Sequence, residues 1–354
     1  MRIIVTGGAG FIGFNLVRFL IEQADTCILN IDKLIFPGSH HTIKALDSQP
    51  DTKYSFSRTD ICDIEKVKQL FAEFKPDVVM HLAAESHVDR SIDEPGAFIH
   101  SNVIGTYNLL NVAKDYWNNL PEPKKAKFRF HHISTDEVFG SLEFDDRKFS
   151  EDTPYAPNSP YSASKAAADH LVRAWHHTYD LPVVISNCSN NYGPWQFPEK
   201  LIPLMISKAL KGEAMPVYGD GKNVRDWLYV ADHVTALVEI MRRGKNGQSY
   251  NVGGGCEKSN NEIVESICHI FDELLPHSPN RPHSKLITYV TDRPGHDKRY
   301  AMDFTKLNTE LGWKPAHSFE EGLLKTVRWY LDNADWCNLV TENCYNGERL
   351  GLGK

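Results

Sequence analysis

The sequence contains no apolar run that approaches the ~18 residues of a membrane-spanning helix. The N-terminal stretch MRIIVTGGAG has only a short apolar segment before its glycines, which is typical of a first strand and not of a signal peptide. The seven cysteines are scattered and form no CxxC pair. We therefore expect a cytoplasmic protein with free thiols, without a membrane anchor, a disulfide framework or a zinc site.

Metal-ligand spacing and an excess of one charge sign are also missing. The histidines in SHH, FHH and WHH are adjacent pairs without carboxylates at ligand spacing, so we predict no metal site. The net charge of -7 is modest and argues against a broad nucleic-acid surface. Low-complexity segments and fixed-period repeats are absent from the sequence as well.

Strand patterns alternate with helical patterns through the first half of the chain, which is typical of βαβ units. Beyond about Asn191 the sequence becomes rich in proline, glycine and aromatic residues. We predict a Rossmann-type, doubly wound parallel α/β sheet followed by a smaller C-terminal substrate-binding α/β lobe. The sheet domain is expected over residues 1–190, with 226–252 returning to it. The remaining segments, 191–225 and 253–354, would form a discontinuous lobe.

A glycine-rich turn lies directly between the first strand and the first helix. The stretch VTGGAGFIGFNL places Gly7, Gly10 and Gly13 in a GxxGxxG pattern. Glycines let the backbone approach a pyrophosphate, to which the helix N-terminus donates N–H groups. A tight structural turn is the alternative. Asp32 ends the second strand about 20 residues further on, where a carboxylate binds the ribose hydroxyls and repels a 2'-phosphate, so the pattern favours NAD over NADP.

Two later strand ends add candidate cofactor contacts. Asp60 and Ile61, in TDICD, lie where an adenine edge could be bound, although an ordinary turn explains them equally well. The stretch HLAAES ends another strand with small residues, which would let a cofactor lie close across residues 82–86.

The stretch YSASK supplies Tyr161 and Lys165 at a spacing that places both side chains on one helix face. A tyrosine has an ordinary pKa near ~10, so to act as a base near neutrality its pKa must fall by about 3. We expect the nearby ammonium and a bound nicotinamide cation to lower it. YxxxK also occurs by chance. Here Ser134 or Thr135 ends a preceding strand and could bind a substrate oxygen. The glycine turn, this Ser or Thr and YxxxK, in that order along the chain, together predict hydride transfer.

Longer motifs carry a family resemblance over nearly the whole chain. GGAGFIG, HLAAESHVDRSI, STDEVFG, NCSNNYGP and YGDGKNVRDWLYV together resemble the extended short-chain dehydrogenase/reductase family, most closely the 4,6-dehydratases of its nucleotide-sugar branch. The resemblance implies NAD as cofactor, dTDP-glucose as substrate and a product used for deoxysugars such as rhamnose. It also implies a homodimer formed through two long helices. A nucleotide-sugar 4-epimerase and a dehydratase acting on UDP-glucose are the alternatives.

The resemblance also implies separate roles for the residues of STDEVFG. Asp136 would protonate the leaving C6 hydroxyl group, and Glu137 would remove the C5 proton. Thr135 would bind near O4, where Tyr161 acts as the base. An aspartate has an ordinary pKa near ~3.9, so Asp136 must be kept protonated by burial and by the charge of Glu137. Two adjacent carboxylates in a solvated turn are the alternative.

The family's binding residues carry over by motif. The implied cofactor-binding set is Gly7, Gly10, Phe11, Ile12, Gly13, Asp32, Lys33, Leu34, Asp60, Ile61, Leu82, Ala83, Ala84, Ser86, Ser101, Tyr161, Lys165 and Asn191. The implied substrate-binding set is Ser86, Thr135, Asn190, Lys200, Leu201, Pro216, Val217, Tyr218, Arg225, Asn260, Arg293 and His296. Its two arginines suit a diphosphate, because a guanidinium donates two parallel hydrogen bonds, although surface salt bridges are the usual alternative.

Overall fold

Strands and helices alternate through most of the chain. The computed structural model describes residues 1–35, 39–46, 48–50, 52–292 and 295–341. Within these ranges the strands are β1 (Arg2–Thr6), β2 (Cys27–Asp32), β3 (Tyr54–Arg58), β4 (Val78–His81), β5 (Arg129–Thr135), β6 (Val183–Cys188), β7 (Asn190–Tyr192), β8 (Met215–Tyr218), β9 (Val224–Tyr229), β10 (Ser249–Val252), β11 (Glu257–Ser259) and β12 (Ile287–Val290).

The helices of the same ranges are α1 (Phe11–Glu22), α2 (Ser39–Lys44), α3 (Ile64–Phe74), α4 (Val88–Asp93), α5 (Pro95–Phe98), α6 (Gly105–Asn118), α7 (Glu122–Lys125), α8 (Pro160–Tyr179), α9 (Leu201–Lys211), α10 (Val230–Arg243), α11 (Asn260–Leu274), α12 (Thr305–Leu311), α13 (Phe319–Asp332) and α14 (Ala334–Thr341). Ile99–Ile104 is π-helical, and Asp136–Phe139 and His283–Leu286 are short 3-10 helices. None of the helices in the described ranges is both long and apolar enough to span a membrane.

A seven-stranded parallel sheet forms the larger layer, with the strand order β10-β6-β5-β4-β1-β2-β3. Strand β1 pairs with β2 on one side and with β4 on the other. The strand order therefore reverses next to β1, and a crevice opens there outside the carboxyl ends of the strands. This arrangement confirms the predicted doubly wound Rossmann-type sheet.

The sheet is covered by helices on both faces, which explains its continuous apolar strands. Successive side chains of β1 point to opposite faces: Ile4 packs in the cluster of α3, α6 and α8, whereas Ile3 and Val5 pack in the cluster of α1 and α10. All three side chains are fully buried. Two separate cores therefore hold the carboxyl ends of the strands in fixed positions.

The smaller lobe contains a three-stranded sheet, β11-β9-β7, and a two-stranded sheet, β12-β8. Its core packs α9, α11 and α13 together through apolar residues that include Ile206, Ile263 and Leu323. Strand β7 begins two residues after β6 ends, so the chain passes directly from the large sheet into the lobe.

The bounds given above for the sheet domain and the lobe stay a prediction. The elements within those bounds pack as follows. From the segment 226–252, helix α10 packs against α1, and β10 pairs with β6 at the edge of the large sheet. Strand β9 instead pairs with β7 and β11. Within 253–354, α12 packs on the large sheet, where Leu307 and Leu311 share a core with Val252.

Candidate active site

A cleft of about 340 Å³ opens at the carboxyl ends of β1, β4 and β5 and extends to the lobe. Gly7, Leu82 and Thr135, which lie at the ends of these three strands, all line it. Asn190 and Lys200 line it from the lobe side. The cleft therefore lies at the switch point of the sheet, where doubly wound folds bind their ligands.

The glycine turn forms one wall of the cleft. Gly7 has φ +77°, and a Cβ atom there would lie 2.6 Å from the backbone nitrogen of Ala83. A Cβ atom on Gly13 would lie 2.2 Å from the carbonyl oxygen of Gly7. Gly10, the residue before α1, provides no side-chain cap for the helix. The close backbone approach and the uncapped first turn fit a pyrophosphate, as a dinucleotide requires.

The carboxylate of Asp32 is held at the end of β2 by two backbone N–H groups. Those of Ala9 and Leu34 donate to its two oxygens at 3.0 and 2.8 Å. Burial raises the pKa of Asp32, and the two hydrogen bonds oppose that effect. Because the side chain also lines the cleft, its remaining acceptor capacity faces the space available to a ribose.

Lys33 closes the same end of the cleft by contacts with three polar side chains. Its Nζ lies 3.4 Å from Oγ of Ser101, 3.5 Å from Glu85 and 3.7 Å from Asp60. Lys33 and Ser101 both line the cleft, whereas Asp60 does not. The oxygen Oδ1 of Asp60 accepts from the N–H of Cys62 at 2.9 Å, as in an ordinary turn. Contact of Asp60 with an adenine edge stays a prediction.

The acidic pair lies where β5 passes into a 3-10 helix. The Thr135 hydroxyl caps that helix by accepting from the N–H of Glu137 at 3.3 Å, and it donates to the carboxyl group of Asp136 at 3.2 Å. Asp136 is only 2 % exposed, whereas Glu137 is half-buried and both line the cleft. The alternative of a solvated turn is therefore wrong for Asp136.

Asp136 is electrostatically suited to keep its proton. Burial, followed by the charges of Glu137 and Asp226, holds the pKa of Asp136 well above its ordinary range, and the Arg225 guanidinium only partly opposes this. Its oxygen Oδ2 is buried, without a hydrogen-bond partner among the described residues. Asp226 is itself buried, and burial raises its pKa to about 6. The direction predicted for Asp136 is correct, with Asp226 as a contributor that the sequence did not reveal.

Tyr161 and Lys165 lie on one face of α8 and line the cleft, as their spacing predicts. The predicted lowering of the Tyr161 pKa depends on a bound nicotinamide cation as well as on the ammonium group, and it stays a prediction. Burial and then the charge of Glu137 hold this pKa well above 10. The ammonium group of Lys165 donates to the carbonyl oxygen of Ile133 at 2.9 Å, and burial lowers the pKa of Lys165.

Most of the predicted residues meet in this one cleft. The members that line it are Gly7, Gly10, Phe11, Ile12, Gly13, Asp32, Lys33, Ile61, Leu82, Ala83, Ala84, Ser86, Ser101, Thr135, Asp136, Glu137, Tyr161, Lys165, Asn190, Asn191 and Lys200. The members that lie outside its lining are Leu34, Asp60, Leu201, Pro216, Val217, Tyr218, Arg225, Asn260 and His296. Arg293 lies outside the described residues.

Arg225, one of the residues outside the lining, belongs to a second polar group near the acidic pair. Arg225 stacks on the ring of Tyr300 at 4.2 Å and donates to the carbonyl oxygen of Asp297 at 3.0 Å. The charge of Arg225 acts on Asp136, and the charge of Glu137 raises the pKa of Tyr300. This group of the lobe therefore acts on the carboxyl pair through its charge, although it does not line the cleft itself.

Comparison with known proteins agrees with this geometry. A family model described as GDP-mannose 4,6 dehydratase matches residues 4–326. The chain belongs to this family. The dTDP-glucose 4,6-dehydratase of Neisseria meningitidis serogroup B is 53% identical over 355 residues, which cover 100% of this chain and 99% of that protein. The predicted membership of the nucleotide-sugar branch is confirmed.

Solved structures of the family have the same architecture. The dTDP-glucose 4,6-dehydratase of Bacillus anthracis in complex with NAD is 42% identical, with a TM-score of 0.84 over 96% of this chain and 99% of that chain. The Streptomyces venezuelae enzyme DesIV, with NAD and TYD bound, is 40% identical, with a TM-score of 0.85 over 96% of this chain and 100% of that chain.

Some residues of the cleft were missed by reasoning from the sequence. Trp336 and Val340 line it from α14, and Trp195 and Glu199 line it from the loop after β7. Glu199 is 8 % exposed. It lies in the same EKLIP motif as Lys200, so that motif could have indicated it as a residue of the cleft. No local signal pointed to Trp336, because its place depends on how α14 packs. Among the described residues, no cluster of potential ligands is arranged to hold a metal ion.

Proposed function

We propose that the chain is a dTDP-glucose 4,6-dehydratase, a lyase that converts dTDP-glucose to dTDP-4-keto-6-deoxyglucose and water. The observation that carries the proposal is the buried Asp136, whose pKa is held well above its ordinary range, beside Glu137 in the cleft that also holds Tyr161 and Lys165. Similarity to dTDP-glucose 4,6-dehydratases over the full chain supports it. The product would serve the synthesis of deoxysugars such as rhamnose.

The residues at the cleft fit NAD at the glycine turn and Asp32. NAD bound there would accept the C4 hydride, return it at C6 and bring a positive charge that lowers the pKa of Tyr161. Thr135 would donate a hydrogen bond near O4, and Tyr161 would take the O4 proton. Lys165 would hold its positive charge close to that phenol.

The carboxyl pair supplies the elimination. Oxidation at C4 makes the C5 proton acidic, because the resulting carbanion is conjugated with the C4 carbonyl group. Glu137, at the cleft surface, would break the C5–H bond by removing that proton. Asp136 would donate its proton to the C6 hydroxyl group, so that the C6–O bond breaks and water leaves. The two steps need one base and one acid. The half-buried Glu137 is suited to be the base, and the buried Asp136, with its raised pKa, is suited to be the acid.

Residues of the lobe would bind the nucleotide part of the substrate. Lys200, whose Nζ donates to the carbonyl oxygen of Ser86 at 3.3 Å, and Asn190 lie on the lobe side of the cleft. Arg225 and His296 would contact the diphosphate, and residues 216–218 of β8 would hold the thymine ring. His296 now contacts Asp292 at 2.7 Å.

Turnover of dTDP-glucose and of UDP-glucose, each without added NAD, tests the proposal. A product that absorbs in alkali, formed from dTDP-glucose and much less from UDP-glucose, is expected, because a 4-keto-6-deoxy sugar absorbs there. An epimerised hexose does not absorb in alkali, so its formation would identify a 4-epimerase. Equal or faster turnover of UDP-glucose would show that the proposed preference for dTDP-glucose is wrong.

A homodimer and a cytoplasmic location complete the proposal. Helices α6 and α8 pack together and leave Tyr107 and Tyr179 43% and 44% exposed, beside the equally exposed Ile104. Such an apolar face suits a second copy of the chain. Light scattering should give twice the chain mass, and Tyr107→Asp should shift it towards the monomer. The scattered cysteines, without a CxxC pair, support a reducing compartment.

A further inference from the structure

Helix α8 carries a third ionisable residue on the face of Tyr161 and Lys165. Asp169 follows Lys165 by one helical turn, at the same i,i+4 spacing that separates Lys165 from Tyr161. Its side chain is fully buried, and Lys165 is only 4 % exposed. None of the proton transfers proposed above uses this carboxylate, although burying a carboxylate is costly unless it is paired.

The carboxylate of Asp169 is held by donors from three neighbouring elements. Its Oδ1 lies 3.0 Å from Nε2 of His132 on β5. Its Oδ2 accepts from the hydroxyl of Tyr155 at 2.8 Å and from the amide of Asn187 on β6 at 3.3 Å. Burial raises the pKa of Asp169, but the hydrogen bond and charge of His132 and the charge of Lys165 together bring it below its ordinary value. Asp169 is therefore a buried anion.

The other titratable groups that face Lys165 are neutral near pH 7. Burial drives the pKa of His81, on β4, well below 6.5 and lowers that of His132 to about 4. Burial also raises the pKa of the Cys188 thiol, on β6, to about 12. Among the described groups that act on Lys165, Asp169 alone is thus ionised at this pH.

We propose that Asp169 is a positioning residue for the pair Tyr161 and Lys165. Its carboxylate holds the positive charge on the buried lysine. Through His132 it also fixes the end of β5, where the carbonyl oxygen of Ile133 accepts from the Lys165 ammonium at 2.9 Å. The proposal rests on the proposed function, in which the ammonium of Lys165 must remain charged while Tyr161 transfers the O4 proton.

Loss of the anion should make the lysine easier to deprotonate. Burial lowers the pKa of Lys165, and the charge of Asp169 opposes this most strongly. Asp169→Asn keeps the shape and one acceptor oxygen for His132, so it removes mainly the negative charge. The alkaline limb of the pH profile of kcat should then move to lower pH by about 1 or more, since a buried ammonium without its counter-ion releases its proton earlier.

Tyr155→Phe is the matched control, because it removes the 2.8 Å hydrogen bond to Asp169 but leaves the charge. We expect its alkaline limb to stay within about 0.3 pH of the wild type. An unmoved limb in Asp169→Asn, or equal movement in both variants, would overturn the proposal. A lower kcat without any change in the limb would show a purely structural role.

A second measurement does not depend on turnover. In protein labelled with 13C at the lysine ε-carbons, the Lys165 signal is assigned by its loss in Lys165→Met, and its shift is followed against pH. The wild-type lysine should remain charged at pH 8, and Asp169→Asn should titrate at lower pH. A neutral wild-type lysine at pH 8 would refute the proposal even if the variant does not fold. Failure of wild type to dehydrate dTDP-glucose, with the titration as expected, would refute only the proposed function.

Discussion

The hydroxyl group of Thr135 donates a hydrogen bond of 3.2 Å to the carboxyl group of Asp136. The same hydroxyl accepts the N–H of Glu137, so one side chain orients both members of the acidic pair. Asp136 then lies in the protein interior, and Glu137 lies at the cleft surface. This contact connects the proposed site for the O4 atom with the acid and the base of the elimination.

Asp136→Asn and Glu137→Gln should separate the two halves of the elimination. Each should lower kcat by about 10²–10⁴, the usual contribution of a general acid or base. In D2O, Asp136→Asn should still exchange the C5 proton, because Glu137 remains as the base. Glu137→Gln should lose that exchange. Proton NMR of the recovered sugar nucleotide measures both, and an exchange pattern opposite to this one would reverse the proposed roles.

Asp32→Ala should change the choice of dinucleotide. Removal of the carboxylate loses hydrogen bonds to the ribose hydroxyls and relieves the repulsion of a 2'-phosphate. The ratio of the Kd for NADP to the Kd for NAD should fall by about tenfold or more, since a hydrogen bond to a charged group contributes about 1.5–3 kcal/mol. Calorimetry on cofactor-free protein measures the ratio. Asp25→Asn, in an exposed turn, is the control that should leave it unchanged.

Asp226→Asn should stabilise the protein near neutral pH but not in acid. Burial raises the pKa of Asp226 to about 6, from an ordinary value of 3.8. Between these values the unfolded chain releases a proton that the folded chain retains, so the wild type loses stability as the pH rises to about 6. The difference corresponds to about 3 kcal/mol. Urea unfolding of the variant and the wild type at pH 4 and pH 7 measures it.

The control for this measurement is Asp145→Asn, because Asp145 is a surface partner of Arg147 and its carboxylate is exposed. Its stability should change little at either pH. A stabilisation by Asp226→Asn that is equally large at pH 4 and pH 7 would show that ionisation is not the cause.

Trp336→Ala should weaken cofactor retention. Trp336 lines the cleft from α14, and its ring packs 5.3 Å from those of Trp195 and Trp329. Loss of this ring opens one wall of the cleft, so the dissociation rate of NAD should rise by about tenfold. A tenfold change corresponds to a loss of about 1.4 kcal/mol of binding free energy. Stopped-flow displacement measures that rate. Trp336→Phe and the exposed Leu339→Ala should stay close to wild type, and a similar increase in all three would implicate α14 rather than the ring.

Local patterns were sufficient to predict the glycine turn and the position of Asp32. An apolar strand, closely spaced glycines and a strand-end carboxylate are neighbours in the chain, and the turn between β1 and α1 has few ways to form. The lobe was less predictable, because β9 and β10 are close in sequence yet join different sheets. The path of α12 back to the large sheet depends on its packing with β10, which no short pattern shows.

The sequence by itself determined which chemical groups are available: a glycine turn, a YxxxK helix and adjacent carboxylates after a strand. Only the tertiary structure decided their ionisation. Burial raises the pKa of Asp136 and that of Tyr161 above their ordinary values. The cost of removing a charged group from water depends on every element packed around it, and those elements come from distant parts of the chain.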